Sequence, residues 1–133
     1  MKYRKGYKYQ LAEDEVFQTS FSPIAPIITK RIHLLCNGEL RVLEGYAWDG
    51  TSGPVFDRET NQRASAGHDA LYELMRKGKL PHVLWRKADV HFAIWQKEDG
   101  AWPMTITVDW IGLSIAGGKA ALPCNRKKVH SAP

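Results

Sequence analysis

The run Ala47-Trp-Asp-Gly-Thr-Ser-Gly-Pro-Val-Phe-Asp-Arg-Glu-Thr-Asn61 constrains the fold more than any other part of the chain. Its Gly, Ser, Thr, Asp and Pro suit neither a helix nor a strand interior, so residues 47–61 read as a loop. On either side the hydrophobic period changes. Before the loop, apolar residues alternate with polar ones; after it they recur at spacings of three and four. A period of two followed by one near 3.6 predicts an α+β fold, with N-terminal antiparallel strands and then helices. A loop of this length inside one domain is usually functional or unstructured. Trp48 and Phe56 call for packing, which favours a functional loop.

Residues 1–46 form the predicted β-rich part. Tyr7, Tyr9 and Leu11 alternate with polar neighbours, and Val16, Phe17, Thr19 and Phe21 follow a short acidic turn. Ser22-Pro-Ile-Ala-Pro26 interrupts the pattern, because proline has no N–H to give a ladder. Ile27–Leu35 and Leu40–Tyr46 are expected to pair as a hairpin about a two-residue Asn37-Gly38 turn. The aromatic and lysine residues interleaved in the first nine positions resemble a nucleic-acid stacking surface. An edge strand accounts for them as well, and is the preferred reading.

Residues 62–121 form the predicted helical part. One helix runs from Asn61 or Gln62 to Lys77 and stops at Gly78. Pro81 opens a second, over about 81–98, and the short link predicts an antiparallel helical pair. After Pro103, Met104–Ala116 reads as a third, C-terminal helix, although Thr105-Ile-Thr-Val108 alternates like a strand. Trp85, Trp95, Trp102 and Trp110 read as core, although a lipid-facing rim would use the same residues. Residues 122–133 make a basic tail. The whole, 1–133, is expected to be a single domain.

Nineteen Lys and Arg against fourteen Asp and Glu leave a net charge of +5, in clusters such as Arg76-Lys-Gly-Lys79 and Arg126-Lys-Lys128. Such a surface favours an anionic partner: a lipid or cell-envelope surface first, nucleic acid as the weaker candidate. No apolar run approaches the ~20 residues of a membrane span, so no transmembrane segment is expected. Met1–Tyr9 is basic but has no apolar core, unlike a signal peptide. Cys36 and Cys124 lack the spacing of a zinc site and are expected as free thiols rather than a disulfide. The oligomeric state is not legible.

The residues that point to chemistry are in Ser65-Ala-Gly-His-Asp-Ala-Leu-Tyr72 and Arg86-Lys-Ala-Asp-Val-His-Phe92. His68 and Tyr72, four apart, share one face of a helix, with Asp69 turned away by about 100°. Asp89 follows His68 by 21 residues, a separation that lets an antiparallel helix return a carboxylate to the imidazole. A histidine fixed by a carboxylate is a competent general base. His91, two positions beyond Asp89, points away from it and reads as exposed. In the loop, Asp49 and the backbone carbonyls of Asp-Gly-Thr-Ser-Gly, taken with Asp69, are hard oxygen donors of the kind calcium takes.

In order, Trp-Asp-Gly-Thr-Ser-Gly-Pro, Gly-His-Asp-Ala-Leu-Tyr and Lys-Ala-Asp-Val-His-Phe resemble a phage and prophage family, domain of unknown function 1353, over about residues 27–118. That resemblance implies a phage origin and no particular activity. The same motifs are similar to the active site of secreted phospholipase A2, especially its bacterial and fungal branch. Carried over, His68 would be the general base, Asp89 would orient it and Tyr72 would support Asp89. Asp49, Asp69 and the Gly50 carbonyl would bind calcium. The cysteines that staple those enzymes are absent, with Ala64 and Ala88 near their places. The resulting expectation is a calcium-assisted ester hydrolase acting on phospholipid. The alternative is a non-enzymatic phage accessory or virion-associated protein in which the His/Asp/Tyr cluster is structural. The expected location is the host cytoplasm, or the virion.

Overall fold

Alternating side chains can bury one face of a sheet and leave the other in water. In the computed structural model, which describes residues 3–4, 9–48 and 61–122, that is what the N-terminal half does. The strands are β1 (Tyr3–Arg4), β2 (Tyr9–Leu11), β3 (Glu15–Gln18), β4 (Ile27–Ile28), β5 (Ile32–Leu34), β6 (Glu39–Val42) and β7 (Ala47–Trp48). They make two antiparallel sheets, ordered β1-β2-β7 and β3-β6-β5-β4. In the larger sheet Phe17 faces Leu40, Leu40 faces Leu34 and Val42 faces Ile32. All five of these side chains are buried, while Val16 on the other face is half exposed. Each fully buried side chain of this kind contributes about 1.5–3 kcal/mol.

Two strand boundaries differ from the sequence reading. The expected Ile27–Leu35 strand is broken at Thr29, whose hydroxyl accepts the Ile32 N–H at 3.1 Å and donates to the Ile32 carbonyl at 3.0 Å. That local pairing gives the backbone an alternative to the ladder and folds β4 back on β5. The turn at Asn37-Gly38 is also one residue longer than expected. Gly38 N–H donates to the Leu35 carbonyl (3.0 Å) and Leu35 N–H to the Glu39 carbonyl (2.9 Å), making Cys36-Asn37-Gly38 a three-residue loop. Its last position needs positive φ, and Gly38 stands at +89°. A Cβ there would also lie 2.2 Å from the Thr19 carbonyl oxygen. Gly38→Ala is therefore expected to destabilise this sheet by about 2 kcal/mol or more, read as a lower melting temperature.

Trp48, assigned above to the loop, is instead in β7 opposite Tyr9, and the two rings stack at 5.5 Å. Tyr9 is thus spent on packing rather than offered to a base. β1, at one side of its sheet, is the edge strand preferred for the N-terminus. Cys36 is exposed and forms no disulfide, while Cys124 and the tail lie outside the described residues.

The described residues fall into two compact units, one within Met1–Asp49 and one within Gly50–Lys128. The second holds α1 (Gln62–Arg76), α2 (Trp85–Glu98) and α3 (Pro103–Ala116), with 3-10 turns at His82–Leu84 and Lys119–Ala121. α1 ends where expected: Gly78 N–H donates to the Met75 carbonyl, and the Lys79 and Leu80 N–H groups both turn back to the Leu74 carbonyl. α1 and α2 are antiparallel. Arg63 near the start of α1 reaches Glu98 and Asp99 at the end of α2, at 3.5 and 3.7 Å, and Tyr72 lies further along opposite Asp89. α1 and α2 pack on one another, and Ala64, Leu71 and Leu74 of α1 and Ala88, Phe92 and Trp95 of α2 are among their buried apolar residues.

α3 is a helix and not a strand. Pro103 is its first residue and Gly117, at φ +63°, stops it. Thr107, one of the alternating residues, turns its hydroxyl to the Pro103 carbonyl at 2.9 Å. Of the four tryptophans expected in the core only Trp95 is fully buried; Trp102 is 78% exposed, and Trp85 and Trp110 are intermediate. The Arg86 guanidinium lies over both of these last two rings, at 5.2 and 4.9 Å, and reaches Ser114 at 2.8 Å, joining α2 to α3. No helix among the described residues is long and apolar enough to cross a membrane.

Candidate active site

Thirteen of the fifteen residues of α1 are buried. A helix enclosed on nearly every side must find a partner for each polar side chain it carries, and α1 carries Ser65, His68, Asp69, Tyr72 and Arg76. His68 solves this across the helix pair. Its Nε2 lies 2.7 Å from Asp89 Oδ1, and the Tyr72 hydroxyl donates to that same oxygen, also at 2.7 Å. His68 and Tyr72 reach one carboxylate because their four-residue spacing puts both on the side of α1 that faces α2. The His68 and Tyr72 rings lie 4.2 Å apart, and Phe92 meets the imidazole edge-on at 5.1 Å.

Burial first, and then the Asp89 carboxylate, push the Tyr72 phenol far above the ordinary tyrosine value. Tyr72 therefore remains a hydrogen-bond donor at every pH the protein meets. Against a carboxylate, which only accepts, Nε2 is the nitrogen that carries a proton, and in that tautomer the lone pair is on Nδ1. Nδ1 has no hydrogen-bond partner among the described residues. Asp89 Oδ2 is buried and likewise bears no bond. Three of the expected site residues, His68, Tyr72 and Asp89, are thus brought together in one bonded cluster.

Asp69 leaves that cluster, as its rotation on the helix requires, and faces Arg76. The separation is 3.5 Å and both side chains are buried. This contact was not anticipated, although the seven-residue interval puts both residues on one side of α1. At 3.5 Å the pair is looser than a charge-assisted hydrogen bond of about 2.7–2.9 Å. Asp49 and the Gly50 carbonyl lie outside the described residues. Among the described residues no group of three or more His, Cys, Asp or Glu is placed to hold a metal.

His91 is buried, not exposed as expected. Its Nδ1–H donates to the Lys87 carbonyl at 2.7 Å, and its ring packs on Trp95 at 5.5 Å. Burial lowers its pKa below the ordinary 6.5. A base whose folded pKa is depressed contributes stability in full above the unfolded value, and that stability is lost as pH falls through 6.5. Melting curves between pH 7.5 and pH 5 should fall on acidification, with His91 accounting for at most about 1.4 kcal/mol per pH unit. His91→Asn, which keeps a donor for the Lys87 carbonyl, should flatten the slope. Elsewhere Asn61 donates to Asp109 at 3.4 Å, tying the start of α1 to α3, and the Gln96 amide is buried with neither end bonded. Neither feature had a signal in the sequence.

No family model matches this chain, and no curated protein or solved structure matches it.

Proposed function

We propose that this chain is a phage-type hydrolase of carboxylic esters, with the acyl ester of a phospholipid as substrate and His68 as general base. The observation that carries the reading is the imidazole's arrangement. One nitrogen is fixed by a carboxylate that a tyrosine also holds, and the other is left without a partner. In the reaction a water gives a proton to Nδ1 as its oxygen bonds the acyl carbon, and the carbonyl becomes a tetrahedral oxyanion. Collapse breaks the bond to the alkoxide, which takes the proton from Nδ1. The products are a carboxylic acid and an alcohol, and His68 is neutral again. Asp89 keeps the ring in the tautomer that leaves Nδ1 basic and steadies the imidazolium. Tyr72 holds Asp89.

Asp69 has the donor chemistry that suits calcium, and the resemblance would make it one ligand of such an ion; Asp49 and Gly50 lie outside the described residues. When bound, that ion supplies positive charge to the ester carbonyl. The net charge of +5 favours an anionic lipid or envelope surface as the site of action.

The second reading, a non-enzymatic phage accessory or virion-associated protein, rests on burial. His68 is only 1% exposed, and Asp89 of α2 takes both His68 and Tyr72 of α1, as in a network whose role is to join two helices. Release of fatty acid from phosphatidylglycerol vesicles, with calcium and with chelator, separates the two. Turnover that His68→Ala abolishes supports the hydrolase, whereas equal release by the native chain and the variant leaves the network.

A further inference from the structure

We infer that the exposed face of α3 pairs with α3 of a second copy of this chain, antiparallel and about a two-fold axis. Met104, Val108, Ile111 and Ile115 are 79%, 50%, 53% and 73% exposed. Their spacing is four, three and four, so they fall within about 60° of helical arc. That is the interval of a coiled-coil seam, with Val108 and Ile115 at one heptad position and Met104 and Ile111 at the other. The residues by which α3 is buried, Asp109, Gly112 and Leu113, occupy a different side.

Three observations select a second copy as the occupant. The interval reads the same in both directions, so a reversed copy sets Met104 against Ile115 and Val108 against Ile111. A self-complementary patch of this kind is what a two-fold interface needs. Asp109 is the single charged residue of α3 and it is buried, so two copies bring no like charges together. Together with Trp102 at its head, the stripe exposes on the order of 600 Å² per copy. A symmetric pair then buries on the order of 1,200 Å², the lower bound of a stable specific interface. A lipid surface fits less well. A helix that lies in a bilayer interface carries Lys and Arg on its polar face, and α3 has neither.

The test is the sedimentation mass of the full chain at about 100 µM, for the native sequence, Ile111→Lys and Val83→Lys. Val83 is as exposed as the stripe, at 77%, but belongs to the 3-10 turn before α2. The expected result is twice 15.1 kDa for the native chain and for Val83→Lys, and 15.1 kDa for Ile111→Lys. Circular dichroism of all three should coincide, since both positions are exposed. A native chain of 15.1 kDa overturns the proposal, as does dissociation of Val83→Lys to the same extent as Ile111→Lys. Flotation of a monomeric native chain with phosphatidylglycerol vesicles, lost in Ile111→Lys, also overturns it and assigns the face to lipid.

Discussion

His68→Ala is expected to lower ester turnover by about 10³-fold, within the range of 10²–10⁴ that a positioned base supplies. The loss should fall on kcat and leave KM nearly unchanged, because in the proposed reaction Nδ1 would meet the water and not the acyl chain. Asp89→Asn should lower kcat by a smaller factor. It removes the charge that steadies the imidazolium and lets an amide N–H face Nε2, disturbing the tautomer without removing the base. Tyr72→Phe should be milder still, since the His68–Asp89 contact remains. A ranking of His68→Ala, then Asp89→Asn, then Tyr72→Phe is characteristic of a base, an orienting acid and its support. Equal small losses for all three would be the mark of a scaffold, in which each change loosens the same helix pair.

The parts of this fold that were legible beforehand are those governed by local chemistry. Gly78 and Pro103 punctuate helices through backbone geometry that no tertiary contact has to supply, and both bounds were readable. The convergence of His68, Tyr72 and Asp89 was also readable, because a four-residue spacing and a short antiparallel link leave little freedom. What failed depended on partners distant in sequence or on side chains with two roles. Thr29 suits a strand by propensity, yet its hydroxyl made a turn by bonding Ile32 twice. Trp48 follows a turn and precedes glycines, but stacking on Tyr9, 39 positions earlier, drew it into a sheet. His91 was misread because its alternation with Asp89 excludes only the face toward α1, not burial against Trp95 on its own helix.

The tryptophans show the limit of composition as a guide. Trp95 and Trp102 are the same residue type seven positions apart, and one is sealed while the other is exposed. Trp95 lies on the side of α2 that carries Phe92, whereas Trp102 precedes Pro103 in an extended conformation at the head of α3. Seven residues keep one side of a helix only while the helix continues, and here the chain turns at Gly100. Trp102 was therefore counted as core when it is surface.

The largest expected effect on stability is at Asp89. Asp89→Ala should destabilise the helical unit by about 3–5 kcal/mol, as breaking one side of a buried polar pair does. Asp89 is fully buried and its Oδ1 accepts from both His68 and Tyr72. Truncation strands two donors in the interior, at about 1–3 kcal/mol each, and opens a cavity between α1 and α2. Relief of the carboxylate's own desolvation offsets part of this, and so does loss of the bare Oδ2, an acceptor with nothing to accept. Tyr72→Phe should cost less, about 1 kcal/mol, since Asp89 keeps His68. The informative measurement is the double change Asp89→Ala with Tyr72→Phe. If the network stabilises mainly by mutual satisfaction, removing donor and acceptor together should leave the protein less destabilised than the sum of the single changes, by about 1–2 kcal/mol. A strictly additive pair would mean that Asp89 is held by packing alone. A loss below about 1 kcal/mol for Asp89→Ala would go further, since an acid whose removal the fold scarcely registers is too loosely held to orient His68 for catalysis.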